Sequence, residues 1–430
     1  MLESRRLVVL ALFAASLVGG FVTGRDILFS LAYLWSSLLM ISFLWTWAGV
    51  SWLKLSRQTR VRRAQVGRPL EERLAVHNTG RLPKLWIEIR DFSNLPGHRV
   101  SRVVEGLGPH AERAWNVRTI CRERGRYRLG PLTVSAGDPF GLFQMERHLP
   151  QTSNVVIYPY TVRLPEFELP VGLLPGGDAL RRRTHYVTPN ASSVRDYAPG
   201  DSFNRIHWPS TARRNRLIVK EFELDPQADV WIFLDACRHV YAPEGSVPIE
   251  EEDGAFWRRA PEFKLPPSVE EYAVSAAASL AQYFIRLDRA VGLAFYGQFR
   301  EVVQADRGER QLTRILESLA VVRARGQLYL DEVLAIEAVQ LARGTTAILV
   351  TPSAENSVAV AARSLQRRGL RVAAALIDAA SFGGPPGTEG LAMLLRGANI
   401  ATRIVHKDDD LAAALAGGGS RNGVGLIGVG

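Results

Sequence analysis

Asp235, Cys237 and His239 place a carboxylate, a thiol and an imidazole at alternate positions of one string, Asp235-Ala236-Cys237-Arg238-His239. Such residues could ligate a metal, or pair a thiol nucleophile with an imidazole base. The apolar run 230–235 reads as a buried strand, and open parallel sheets bind ligands at the carboxyl ends of their strands, so Asp235 stands where a site is sought first. The chemistry does not assemble beyond that. Cys237 and His239 lie two apart on one loop, whereas thiol–imidazole dyads are brought together from separate elements, so they read as chance neighbours. His207, beside Trp208, reads as a structural hydrogen-bonding residue. No glycine-rich phosphate loop, nucleophile elbow or paired-histidine metal motif occurs. Without an acid–base–nucleophile set, the expectation is a protein that is not an enzyme and carries no cofactor.

Charge, aromatics and turn residues are densest in residues 195–223, just before that strand. Pro199, Gly200 and Asp201 read as a tight turn, because proline presets one backbone angle, glycine takes the reversed one and aspartate caps the next turn of chain. A short helix is expected to start there, with Ile206 and Trp208 buried as its anchor. Around them Arg195, Asp196, Asp201, Arg205, His207 and Arg213 are expected to form an ion-pair network. Residues 217–222 alternate like a strand. The stretch reads as a self-paired joint leading into the C-terminal region, and any exposed part of it as a docking surface.

These residues resemble the signature of the bacterial family called domain of unknown function 58. The match is carried by Arg195, Tyr197, Gly200, Asp201, Arg205, Ile206, His207, Trp208, Ala212, Arg213, Leu217, Lys220, Glu221 and Phe222. Upstream, RGRYRLGPLTV (124–134) and DPFGLF (138–143) resemble the β-domain pattern of the same family. The resemblance implies association with a MoxR-type AAA+ ATPase and with transglutaminase-like membrane proteins. The C-terminal region further resembles von Willebrand factor A-type domains, whose Asp-x-Ser-x-Ser string holds a divalent cation through oxygen ligands. Here Cys237 and His239 replace both serines, Arg238 brings a cation, and Pro352 follows Thr351 where that fold carries an acid. What the resemblance implies is therefore a degenerate site at Asp235, Cys237 and His239 that has lost its metal.

The chain has 430 residues, of which 47% are hydrophobic, suiting folded domains rather than disorder. Residues 7–22 form one uncharged apolar run and residues 27–53 a second, long enough for a bilayer core, with Arg25 and Asp26 between them. They read as a transmembrane hairpin, with Trp35, Trp45, Trp47 and Trp52 as partial interfacial anchors. Arg5 and Arg6 precede the hairpin, and Lys54, Arg57, Arg60, Arg62 and Arg63 follow it. That bias places both termini and the soluble regions in the cytoplasm, at a bacterial plasma membrane. A cleaved signal peptide is the competing reading, disfavoured because no small-residue cleavage site precedes Arg25 and the second run still requires a membrane.

The net charge of +10 is uneven. Residues 1–68 hold nine Lys or Arg against two acids, which membrane topology accounts for, and residues 176–220 hold nine against three. The second cluster, led by Arg181, Arg182 and Arg183, is a candidate anion-binding stretch. The two cysteines, Cys121 and Cys237, fall in different regions and suit a reduced compartment.

The elements that must position these residues follow from periodicity. The divisions are 1–63, two transmembrane helices with basic flanks; 64–160, an all-β sandwich-like domain that reads as a spacer; and 161–194, a linker. Then come 195–223, the signature; 224–416, an α/β domain that is Rossmann-like and resembles von Willebrand factor A; and 417–430, a flexible tail. In the β-domain, strands are expected at 74–77, 85–89, 114–120, 127–134 and 155–158. In the α/β domain, strands 230–235, 291–296, 346–351, 371–377 and 401–405 alternate with helices 268–286, 310–322, 330–341, 357–368 and 388–396, with a capping box from Ser268 and Glu271. Alternation of this kind predicts a mostly parallel sheet covered on both faces. The loop 240–267 carries Glu250, Glu251, Glu252 and Asp253 beside Phe256 and Trp257, a solvated face or a protein contact.

The expected function is a membrane-anchored, cytoplasm-facing interaction protein, with an AAA+ ATPase as the partner that the resemblance implies, acting in assembly or maturation of a membrane or envelope complex. The alternative is binding of an anionic ligand, lipid headgroup or nucleic acid through the arginines of 181–220. Nucleic acid is the weaker form, since acids and apolar residues interrupt the basic run.

Overall fold

The computed structural model describes residues 2–165, 167, 191–197, 206–222, 229–241 and 263–416. The chain divides into two compact units, Met1–Tyr160 with Glu251–Leu265 and Leu316–Val321, and Thr161–Glu250 with Pro266–Ile315 and Val322–Gly430.

The first unit opens with α1 (Leu2–Thr23) and α2 (Asp26–Val50). Both are long and apolar enough to cross a membrane, and only 11% of each apolar window is buried, so their side chains face outward. Gly19 and Gly20 let the hairpin close, since a Cβ on Gly20 would lie 3.2 Å from the Phe29 ring.

β-structure begins at once, with β1 (Leu53–Thr59), β2 (Arg63–Gln65), β3 (Pro69–Asn78), β4 (Lys84–Asp91), β5 (Arg102–Leu107) and β6 (Glu112–Ile120). It continues with β7 (Gly125–Leu129), β8 (Leu132–Gly137), β9 (Gln144–Leu149) and β10 (Ser153–Tyr158). Three sheets result, β1-β3-β6, β2-β10-β7 and β5-β4-β8-β9. Leu53, Leu74 and Val76 of the first sheet meet Ile87, Ile89, Val104 and Val134 of the third in one core. A second core gathers Val66, Leu70, Cys121, Leu129, Val155 and Ile157.

One expectation fails here: 127–134 is not a single strand. The peptide between Gly130 and Pro131 is cis, and Gly130 has φ +81°. A proline without an N–H ends the ladder there, so β7 and β8 join different sheets.

The second unit begins with β11 (Ala191–Asp196), α3 (Trp208–Arg214) and β12 (Ile218–Phe222), the two strands pairing antiparallel. Next come β13 (Val230–Leu234), α4 (Val269–Arg286), β14 (Val291–Tyr296), β15 (Arg300–Asp306), α5 (Glu309–Val321), α6 (Leu330–Glu337) and β16 (Thr346–Thr351). The unit closes with α7 (Asn356–Arg367), β17 (Arg371–Ile377), α8 (Thr388–Gly397), β18 (Ala401–Val405) and α9 (Leu411–Ala416). The sheet order is β15-β14-β13-β16-β17-β18, the doubly wound order, with β15 antiparallel to β14 and the other pairs parallel. Sequence reasoning missed β15, whose half-buried alternation carries no apolar run.

On α4, Val269, Tyr272, Ala276, Leu280 and Phe284 are all buried, as their spacing predicted. The capping box is not formed: Ser268 makes no side-chain cap bond. The acids of that turn are engaged by Arg323 instead, at 3.3 Å from Glu270 and 3.7 Å from Glu271.

Candidate functional site at the carboxyl ends of the central strands

In a doubly wound sheet the connections diverge between the first and fourth strands, here β13 and β16, and sheets of this order bind ligands at the carboxyl ends of those strands. Asp235 follows β13 directly, is only 2% exposed, and takes its place in the sheet by donating its N–H to the Val350 carbonyl at 2.9 Å. Its Oδ1 accepts the Cys237 N–H at 3.0 Å and its Oδ2 accepts the Thr351 hydroxyl at 2.6 Å. Thr351 Oγ1 in turn accepts the Ser353 N–H, and Ser353 Oγ accepts the Glu355 N–H. The Tyr241 hydroxyl donates to the Asp235 carbonyl.

Burial pushes the Asp235 carboxyl up to about 6; the bonds from Thr351 and Cys237 oppose that push, and the nearby charge of Asp331 adds to it. The Asp331 Oδ1 is itself buried with no hydrogen-bond partner among the described residues.

The loop after β13 is held by backbone pairing with 326. Gly326 donates to the Ala236 carbonyl and accepts from the Arg238 N–H, both at 2.9 Å. Glycine is required there, because a Cβ would fall 1.9 Å from the Tyr296 carbonyl oxygen.

Cys237 is fully buried, burial raises its thiol, and Sγ lies 3.9 Å from the Gln327 carbonyl. The backbone of His239 hydrogen-bonds this thiol and opposes that rise, while the His239 imidazole is engaged elsewhere. Its Nε2 accepts from Arg238 Nε at 3.2 Å and its ring stacks on Tyr329, with centroids 6.1 Å apart. The structure thus joins Asp235 to Cys237 through the backbone, and the His239 imidazole is taken up by Arg238 and Tyr329. A raised, protonated thiol without a base is a poor nucleophile. Among the described residues no group of three His, Cys, Asp or Glu is placed to hold a metal.

The signature is built on the β11–β12 ribbon, where Asp196 faces Ile218 and Arg195 faces Val219. Ile206, 4% exposed, makes the buried anchor by bridging to Val219. Trp208 is 64% exposed, contrary to its expected role as a second anchor. It opens a seven-residue helix that buries none of its own side chains, so Ile206, Ile218 and Val219 close the ribbon without it. His207, at the N-cap of that helix, shares a 2.7 Å hydrogen bond through Nδ1 with Ser210 Oγ, a structural role. Asp196 pairs with Arg216 at 2.9 Å, a partner the sequence reading did not name, on an exposed surface where such a pair contributes little. Tyr197 donates its N–H to the Leu217 carbonyl, and Arg213 is exposed. Gly200, Asp201, Arg205, the side chains of Arg195, Lys220 and Glu221, and the whole of Arg181, Arg182 and Arg183 lie outside the described residues, as does the acidic loop 250–253.

Sequence reasoning missed a dense, buried charge cluster, which sits in the first unit. Arg57 on β1 reaches Glu72 on β3 at 3.0 Å and Asp91 at the end of β4 at 3.1 Å. His98 Nε2 lies 3.1 Å from Glu72, and its Nδ1 shares a hydrogen bond with Thr119 on β6. Ser93 donates to Asp91 at 2.6 Å and accepts the Gly130 N–H at 2.7 Å. Burial would raise the Glu72 carboxyl, but bonds from His98, Thr59 and Arg57 hold it down to about 2. The charged side chains are nearly sealed from solvent, so the cluster is a clasp between the first and third sheets. Its signal was present: Glu72 falls in step with Leu70, Leu74 and Val76 on the inward face of β3. Arg57, counted in the sequence as a topological cation, is internal.

A family model described as protein of unknown function DUF58 matches residues 193–241, from β11 through the Asp235 loop. A Bacillus subtilis protein described as uncharacterized protein YeaD is 22% identical over 201 residues, 46% of this chain and 43% of that relative, so the match spans less than half of the relative's length. Among solved structures, the CARDB domain of a Pyrococcus furiosus protein is similar at a TM-score of 0.20 and 17% identity, covering 24% of this chain and 91% of that domain.

Proposed function

We propose, for a chain that belongs to the DUF58 family of proteins of unknown function, that it is a membrane-anchored interaction protein whose soluble regions face the cytoplasm of a bacterial cell. In this reading α1 and α2 span the plasma membrane, the β-region is a sandwich-like spacer, and the second unit is a von Willebrand factor A-like module that docks a partner rather than turning over a substrate. The partner that family resemblance suggests is a MoxR-type AAA+ ATPase, in assembly or maturation of a membrane or envelope complex.

The observation that carries the docking part is Trp208. It lies inside the family-matched stretch and is 64% exposed, at the start of a short helix whose last turn carries the exposed Arg213 and Arg214. A large exposed aromatic and two arginines on one short helix, which the buried Ile206, Ile218 and Val219 of the ribbon do not need for cover, are residue types from which interaction hot spots are built. Support for the anchoring part is the outward apolar surface of both helices.

The test is gentle co-purification from membranes, comparing wild type with Trp208→Ala and identifying partners by mass spectrometry. The reading expects an AAA+ ATPase recovered with wild type and depleted with Trp208→Ala at an unchanged melting temperature. Equal recovery by both forms, or recovery of no specific protein, defeats it.

A further inference from the structure

The DPFGLF turn between β8 and β9 lies outside the family-matched stretch and combines two properties. Its backbone N–H groups are satisfied internally. Asp138 Oδ2 accepts the Phe140 N–H at 2.9 Å, and Oδ1 accepts the N–H groups of Leu142 and Phe143 at 2.8 and 2.6 Å. Gly141 donates to the Asp138 carbonyl at 3.2 Å, and Asp138 donates to the Phe143 carbonyl at 3.3 Å. Pro139 has no N–H, so every donor from 138 to 143 is bonded within the turn. The Asp138 side chain that organises this is buried, whereas Phe140 at its tip is 55% exposed.

The second property is position. The Phe143 ring stands edge-on to Phe43 of α2, with centroids 5.9 Å apart, and a Cβ on Gly49 would lie 2.8 Å from Ala136 at the base of the hairpin. Phe43 precedes the end of α2 at Val50 by seven residues, about 10 Å along the axis. That is close to the level of Trp45 and Trp47, which are 38% and 47% exposed and suit the aromatic belt of a bilayer. Around the same helix end Lys84 donates to the Ala48 carbonyl and lies 5.5 Å from the Trp52 ring. Leu82 and Leu85, on either side of Lys84, are 53% and 47% exposed.

We infer that the DPFGLF turn is an interfacial membrane anchor, inserting Phe140 into the headgroup and upper acyl region beside α2. The inference rests on α2 spanning the bilayer. The occupant is lipid because Phe143, three residues from the tip, packs on an outward-facing apolar helix at its aromatic level, where a soluble partner would have to enter the membrane. A turn can enter that layer only if its own N–H groups are bonded, since water is scarce there. Asp138 supplies that condition, and the exposed Phe140 and Leu85 supply apolar area to bury. The β-region is thereby held against the membrane at a second point rather than swinging from the helix end.

The test is spin labelling of single introduced cysteines in the full chain, reconstituted in phosphatidylcholine–phosphatidylglycerol vesicles. The sites are Phe140→Cys, Leu34→Cys in mid-α2, and Phe92→Cys just past the far end of β4, eight residues from Lys84 and so about 26 Å away. The native Cys121 and Cys237 are buried and give the background, measured on unsubstituted protein. The ratio of accessibility to oxygen over a nickel chelate is expected to be several-fold higher at 140 than at 92, approaching that at 34. An aqueous ratio at 140 equal to that at 92, with 34 in lipid, overturns the anchor alone. An aqueous ratio at 34 overturns the spanning reading and the anchor with it.

Discussion

Thr351 donates its hydroxyl to Oδ2 of Asp235 at 2.6 Å, linking the ends of β16 and β13 at the point where the sheet's connections diverge. With Oδ1 taken by the Cys237 N–H, both carboxyl oxygens are engaged inside the protein. Where an open sheet of this order usually receives a ligand, this chain has tied its loops to one another.

That tie titrates. The folded Asp235 carboxyl sits at about 6 against an ordinary 3.8, so between those values the folded state holds a proton that the unfolded state has released. Its contribution to stability is therefore fully present below about pH 4 and is lost as pH rises through about 6, a swing on the order of 3 kcal/mol. Melting curves in detergent from pH 4 to 8 should show wild type losing stability relative to Asp235→Asn across that window. Parallel curves for the two proteins refute the assignment.

The clasp around Arg57 behaves oppositely with acid. Glu72 is held at about 2 against an ordinary 4.5, so its contribution is complete above pH 4.5 and disappears as pH falls toward 2. Arg57→Ala leaves Glu72 and Asp91 buried without their cation and should cost about 3–5 kcal/mol by urea titration. Arg60→Ala is the contrast, because its pair with Glu71 is largely exposed and should change little. Comparable losses in both variants contradict the clasp.

Gly326→Ala should destabilise by about 1–3 kcal/mol or more, since the new Cβ collides with the Tyr296 carbonyl and pushes apart the loops that position Asp235. Gly390→Ala, inside α8 with open space around it, should instead stabilise by about 0.5–1 kcal/mol. Differential scanning fluorimetry of the pair checks both signs, and a neutral Gly326→Ala means the two backbones are not so close.

Lys84 holds the end of α2. Its side chain is buried, burial lowers its pKa, and its ammonium group meets the carbonyl end of the helix, where positive charge is favoured. Lys84→Met keeps the apolar stem and removes the donor. Amide exchange at residues 48–52 is expected to accelerate while that of β13 and β16 stays unchanged, and unaltered exchange at 48–52 shows that the contact does not hold the helix end.

Local pattern carried much of this protein. The two apolar runs became α1 and α2, and the alternation in the second unit located every parallel strand of its sheet to within a residue or so, because period and propensity act over a few neighbours. Asp235 was legible as a strand end for the same reason. The fate of Trp208 was not, because a propensity argument sees an aromatic beside Ile206 and cannot tell that the ribbon closes on Ile206, Ile218 and Val219 alone. The capping box failed similarly: Glu271 had the right spacing from Ser268, but Arg323, 52 residues on, is close enough to claim it.

By itself, then, the sequence determined the succession of elements, the apolar hairpin and the strand end that carries Asp235, since each depends on hydrophobic period and chain punctuation. Only the tertiary structure decided which charges meet. Arg57 finds Asp91 and His98 across 34 and 41 residues, and Asp235 finds Thr351 across 116. Those partnerships depend on strand register and sheet order, and no short window of sequence contains either.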